Sequence, residues 1–272
     1  QGDWPSHPDL LNWLAVQFVK NGWDQKELIK LIVTSATYRQ DSSASAEVLA
    51  RDHNNRLLAR GPRHRLDAEV IRDNALAVSG LLLHKIGGPS VYPYHPKGLW
   101  LELNNRPGLS RPYPHGKGEA LFRRSLYTYW KRTVPPPSMA TFDAPEREFC
   151  LVRRSRTNTP LQAFVLLHDP QFIESARHLA AKMMAAAKDP KARIAHGFRI
   201  ITARTPSARE QAILQRLYAE RLAFYKKNPK AAEALLAIGE SKTPETLPTT
   251  EHAVWTTVAR AMMNLSETIT KN

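Results

Sequence analysis

The sequence predicts a mainly α-helical protein with a long proline-rich irregular insert at about 87–158. Three observations predict it. Apolar residues recur at helical spacing on both sides of the insert, with capping residues where helices should begin and end. Between them, Gly87-Gly88-Pro89, Pro93, Pro96, Pro107, Pro112, Pro114 and Pro135-Pro136-Pro137 forbid long helices. No internal repeat of about 20–50 residues is present. The expectation is one helical domain over 1–272, with a helical stretch at 1–86, the insert with room for a few short strands, and a helical stretch at 159–272. Gln1-Gly2-Asp3 does not read as a natural start, so the domain is expected to be truncated at its N-terminus.

Taken in order, Ser6–Lys20 forms a first helix through Leu10, Leu11, Leu14 and Phe18, ended by Asn21-Gly22. Asp24 caps a second over Gln25–Thr34, with Leu28, Leu31 and Ile32 inward. Ser35–Ala50 is small and polar, hence partly irregular. Leu66–Leu83 carries Ala68, Ile71, Ala75, Leu76, Val78 and Leu82 on one face, with Asp67 and Glu69 suiting its positive N-terminal end. Leu126–Trp130 reads as a short strand or helical turn, and Pro135-Pro136-Pro137 as polyproline. Thr159-Pro160 and Asp169-Pro170 start two helices, the second running to about Lys188. Ala192–Ala203, a Ser207/Glu210-capped helix to Tyr225, Ala231–Ile238 and His252–Leu265 follow, with Gly239–Thr250 as a linker.

The chain is strongly basic, with a formal net charge of +14 over 272 residues. Residues 1–60 are balanced at seven basic and seven acidic side chains, whereas 61–160 carry sixteen and eight. Such a field attracts polyanions without choosing among them. No RNA-recognition, zinc-finger or leucine-zipper pattern is present, so nucleic acid is not the expected partner. No apolar stretch reaches the roughly 18 residues of a membrane span. Cys150 is the single cysteine, which excludes an intrachain disulfide; its apolar neighbours Phe149 and Leu151 predict burial.

Several segments are distinctive as text. Arg123-Arg124-Ser125-Leu126-Tyr127-Thr128-Tyr129-Trp130-Lys131-Arg132 leads into the triple proline, then Phe142-Asp143-Ala144-Pro145-Glu146-Arg147-Glu148 and Thr157-Asn158-Thr159-Pro160-Leu161-Gln162-Ala163. His7-Pro8-Asp9-Leu10-Leu11, Arg65-Leu66-Asp67-Ala68-Glu69 and Ala259-Arg260-Ala261-Met262-Met263-Asn264-Leu265 belong to the same pattern. Together these resemble, in order and over nearly the whole chain, the planctomycete-specific C-terminal domain of planctomycete cytochrome-c-type multidomain proteins, a domain of unknown function. The resemblance implies an exported, periplasmic or cell-surface multidomain protein, partners among its own other domains, and no cofactor in this chain, with haem in a companion domain. It carries no catalytic residues. The family usually has Asn where this chain has His168, which argues against a catalytic role there.

Two residue sets are candidates. Asp143, Glu146, Arg147, Glu148, Arg153, Arg154, Arg156, Asn158 and Gln162 form the densest polar cluster, either an ion-pair network pinning an irregular segment, with at least one arginine paired in the interior, or a clamp for anions. Trp100, Tyr127, Tyr129, Trp130, Lys131 and Arg132 interleave rings with cations, suiting sugar stacking and anion contacts or an ordinary core. No metal site is expected; His95 and His115 are the members a loop-built one would use. Two functions follow: a non-catalytic binding or scaffolding module contacting an anionic polysaccharide or a neighbouring domain, or a hydrolase or redox enzyme on extracellular polysaccharide with its site in the Asp143–Arg156 cluster. A deep pocket lined by that cluster separates them.

Overall fold

A computed structural model describes residues 4–102, 112–242 and 246–271. Gln1-Gly2-Asp3 and the Pro107 region of the insert lie outside the described residues. The fold is mainly α-helical, and its one sheet among the described residues has two strands of two residues. Contacts divide the chain into two units, residues 1–65 with 270–272, and residues 66–269.

The first unit contains α1 (Pro8–Lys20), α2 (Gln25–Thr34), α3 (Ala46–Arg51) and β1 (His64–Arg65). β1 pairs antiparallel with β2 (Thr270–Lys271), His64 opposite Lys271 and Arg65 opposite Thr270. Asp24 caps α2 as expected, accepting from the N–H groups of Lys26 and Glu27. The expected inward faces are not covered: Leu10, Leu11, Leu31 and Ile32 are exposed, and none of α1, α2 or α3 contains a buried residue. Two short helices side by side have no third layer to enclose their apolar stripes.

The second unit contains α4 (Ala68–Ser79), α5 (Leu99–Glu102), α6 (Pro137–Thr141), α7 (Pro160–His168), α8 (Pro170–Ala186), α9 (Pro190–Thr202), α10 (Ala208–Lys227), α11 (Pro229–Leu236), α12 (Thr249–Met263) and α13 (Ser266–Ile269). Pro170 sits in the first turn of α8 and Asp169 caps it; Ser207 and Glu210 close the expected capping box on α10. α8 and α12 form the centre. Ala176, Leu179, Ala180 and Met183 of α8 and Trp255, Val258, Ala259 and Met262 of α12 are wholly enclosed. The small residues of α8 let the helices approach closely.

The described part of the insert is irregular, with α5, α6 and two 3-10 turns at Gly118–Phe122 and Ser125–Tyr127. Two isolated parallel bridges, Leu83 with Arg123 and Val91 with Thr128, are its only strand-like pairings among the described residues. Buried arginines hold it. Arg72 on α4, 2% exposed, donates to the carbonyls of Leu121 (2.7 Å) and Arg123 (2.8 Å), to Ser125 Oγ (3.1 Å) and to Gln171 Oε1 (2.6 Å). Burial lowers its pKa to about 10, still well above neutrality, so it remains a cation. Arg123 in turn donates to the carbonyls of Lys85, Gly87 and Pro89 and lies over the Tyr127 ring. A segment without its own ladder needs such partners for its backbone.

Candidate functional site

The bridge at Val91 places three irregular strips side by side. Val91 N–H donates to Tyr127 O and Tyr129 N–H to Val91 O, both at 2.8 Å. Gly116 N–H donates to Tyr92 O at 2.8 Å, and a Cβ on Gly116 would stand 2.9 Å from that oxygen, so only glycine admits the approach. Alternation along these strips collects rings. Tyr92 stacks on Tyr129 at 4.9 Å between centroids, and Tyr113 stacks on His95 at 4.5 Å. Tyr113 also meets Trp100 edge-on at 5.0 Å and lies 6.4 Å from His115. Its hydroxyl donates to Pro93 O at 2.6 Å.

Part of this cluster lines a cavity of about 640 Å³, within the size range of small-molecule sites. Tyr94, His95, Trp100, Tyr113 and His115 line it with Lys97, and Asp169 and Glu240 complete the lining. Asp169 is placed by its cap on α8, where its Oδ1 accepts from Gln171 N–H at 3.0 Å. Burial raises its pKa to about 6, against the opposing pull of the Gln171 N–H and the Arg72 charge.

Glu240 is placed by a buried carboxylate beneath it. Glu174 on α8 is 1% exposed, and its Oε1 accepts from Glu240 N–H (2.8 Å), Ser241 N–H (2.6 Å) and Ser241 Oγ (2.6 Å). Its Oε2 accepts from the Tyr94 hydroxyl at 2.9 Å, and that hydroxyl accepts from Glu240 N–H at 2.8 Å. Burial first, and the Glu174 charge second, push the Tyr94 pKa up. Arg177 pairs with Glu174 at 3.5 Å and donates to Leu236 O and Ser241 O. Gly239 turns the strap at φ +94°, and a Cβ there would meet the Glu174 carboxylate at 2.7 Å. The Glu240 side chain then accepts from His115 Nε2 at 2.5 Å. His95 Nε2 is enclosed without a hydrogen-bond partner among the described residues, and burial lowers the His95 pKa.

His95 and His115 line the same cavity, but among the described residues no three His, Cys, Asp or Glu side chains group to hold a metal ion. The interleaved rings and cations do not form one surface. Trp100 and Tyr129 join the ring cluster, with Lys131 Nζ 4.5 Å above Trp100. Tyr127 goes to Arg123 and accepts from Gly87 N–H at 2.7 Å. Trp130 donates to Glu146 O and lies under Arg147, while Arg132 is exposed.

The polar cluster is also dispersed. Asp143 accepts from Thr157 N–H (2.8 Å) and its hydroxyl, and Gln162, 1% exposed, donates to the carbonyls of Thr141 and Thr157. Asp143 and Arg147 adopt left-handed φ of 57° and 64°. Arg154 forks onto Glu69 at 2.7 and 3.2 Å, but its side chain is 36% exposed, so the pair lies at the surface, not in the interior. Arg153, Arg156 and Asn158 are exposed, as are Glu146 and Glu148. A cavity of about 310 Å³ touches Asp143, Glu146, Arg147 and Glu148 and none of these arginines beyond Arg147. Cys150 is exposed as well, contrary to the expectation of burial: Phe149, Leu151 and Val152 beside it all face outward, because this stretch has no regular element to turn one side inward.

Sequence reasoning missed Asp169 and Glu174 as site-builders and took Gly239–Thr250 for a linker. Gly239 and Glu240, at the start of that stretch, line the cavity with Ile238. The signal was a glutamate in the apolar run Phe172–Ala176, a position that requires buried donors.

A family profile described as PSD1, a protein of unknown function (DUF1553), matches residues 1–218. The chain belongs to this family. The wall at Ile238–Glu240 lies beyond the matched residues. No curated protein and no solved structure matches the chain. No helix among the described residues is long and apolar enough to cross a membrane.

Proposed function

We propose that this PSD1 chain is a binding module that takes a saccharide unit in the ring-lined cavity, as part of an exported multidomain protein. The observation that supports it is the convergence of five rings with the Asp169 and Glu240 carboxylates around about 640 Å³. Ring faces stack on the apolar face of a pyranose, and carboxylates and imidazoles accept or donate to its hydroxyls. The exposed Arg153 and Arg156 lie apart from this cavity and are the groups left for an anionic polymer or a neighbouring domain. A panel of neutral, amine-bearing and acidic oligosaccharides titrated into the protein tests the reading. Binding that disappears in Tyr113→Ala, with the far-ultraviolet dichroism intact, is the expected result; binding indifferent to Tyr113 removes the cavity from consideration.

One observation favours catalysis as a second reading. Asp169, raised to about 6 at the cavity wall, keeps its proton in mildly acidic solution as a general acid must. In a glycoside hydrolysis it would protonate the leaving oxygen while water, deprotonated by Glu240, adds to the anomeric carbon. Release of reducing ends that Asp169→Asn abolishes without loss of binding would establish this reading; absence of release from every bound oligosaccharide leaves binding alone.

A further inference from the structure

Resting on the saccharide reading of the cavity, we infer that its ligand carries a positive charge: an amine-bearing sugar whose ammonium sits between the ring cluster and the Glu240 carboxylate. The chain as a whole is strongly cationic, at +14, yet the side chains lining this cavity include two acids, Asp169 and Glu240, and one fixed cation, Lys97. The neighbouring guanidinium groups do not offset them at the wall. Arg72 directs its donors to Leu121, Arg123, Ser125 and Gln171, and Arg177 directs its own to Leu236 and Ser241; neither lines the cavity. His95 is disfavoured as a cation by its burial, and among the described residues the Glu240 carboxylate meets the His115 ring nitrogen.

A second observation is independent of that charge inventory. The Trp100 face is taken by Lys131 Nζ at 4.5 Å, but the Tyr94 ring stands beside Glu240: its hydroxyl accepts from Glu240 N–H at 2.8 Å and its centroid is 5.6 Å from the His115 ring that the carboxylate meets. A ring face beside a carboxylate attracts an ammonium through both the ring quadrupole and the charge. An acidic sugar entering the same space would bring its carboxylate against Glu240, where like charges repel. The same wall therefore prefers amine over hydroxyl and hydroxyl over acid.

The experiment compares tetramers of glucosamine, N-acetylglucosamine and galacturonate by titration calorimetry at about pH 6, where the free amine is protonated and most of its competitor carboxylates are charged. The expected result is about tenfold tighter binding of the glucosamine tetramer than of the acetylated one, with the galacturonate tetramer weakest. Glu240→Gln should lower the glucosamine affinity toward that of the acetylated tetramer, and raising salt should weaken glucosamine binding more than acetylated binding. Equal binding of the first two overturns the inference and leaves the saccharide reading standing. Binding of none of the three overturns both, and tightest binding by galacturonate overturns the charge assignment outright.

Discussion

The helical part of the second unit and the insert are held together by different physics. In α8 and α12 the stabilising contacts are apolar and dense, from Leu179, Met183, Trp255 and Met262, all fully enclosed. In the insert they are directional. Arg72 and Arg123 reach main-chain carbonyls, and Tyr92, Tyr113 and Trp100 pack ring against ring. A helix satisfies its own backbone and needs only a surface to cover, whereas an irregular segment must borrow donors from elsewhere. The insert is thus the part that a few polar side chains can create or destroy, and it is also the part that forms the cavity.

The largest expected effect follows from that contrast. Arg72→Ala strands carbonyls and a hydroxyl that one guanidinium satisfies, and should cost about 3–5 kcal/mol. The near-ultraviolet signal of the insert's rings should fade at temperatures where the helical far-ultraviolet signal persists. Leu179→Ala, which opens a cavity between α8 and its neighbours, should cost about 2–5 kcal/mol and lower both signals together. Coincident loss in both variants would mean that the two regions do not differ in the way described.

Asp169 gives a smaller effect with a defined sign. Its folded pKa, about 6, lies above the ordinary 3.8, so folding favours the protonated form. That contribution is fully present below about pH 4 and is lost as pH rises through about 6. Asparagine keeps the cap without the charge. Asp169→Asn should therefore gain about 1–3 kcal/mol relative to the wild type between pH 4 and pH 7, read from denaturant midpoints. A difference independent of pH would show that Asp169 is not desolvated. Smaller still is Arg154→Ala, expected to cost at most about 1 kcal/mol because its pair with Glu69 is partly solvated. At the bottom of the scale, Cys150 should react rapidly with a thiol reagent in the native state, with no change in melting temperature.

The same contrast decides how much was legible in the sequence. Periodicity and caps placed the helices from Pro160 onward, because Thr159-Pro160, Asp169-Pro170 and Ser207…Glu210 are local signals with local causes. The proline run correctly marked the insert as irregular. The cavity was not legible as such. Its rings come from residues 92–115 and its second carboxylate from residue 240, joined through Glu174 and Tyr94 by contacts that no spacing encodes. Proximity in sequence pointed instead to the Asp143–Arg156 stretch, whose charges the fold spreads across the surface. The uncovered stripes of α1 and α2 show the converse: an amphipathic pattern announces that a face needs cover without saying what provides it.

We propose that the ring-lined cavity, and not the arginine-rich stretch, is where this protein meets its ligand. It is tested most directly by titrating the glucosamine and galacturonate tetramers into the wild type, Tyr113→Ala and the Arg153→Ala, Arg156→Ala double variant. Glucosamine binding is expected to be lost in Tyr113→Ala and kept in the double variant. Galacturonate binding that the double variant abolishes and Tyr113→Ala leaves intact would contradict it.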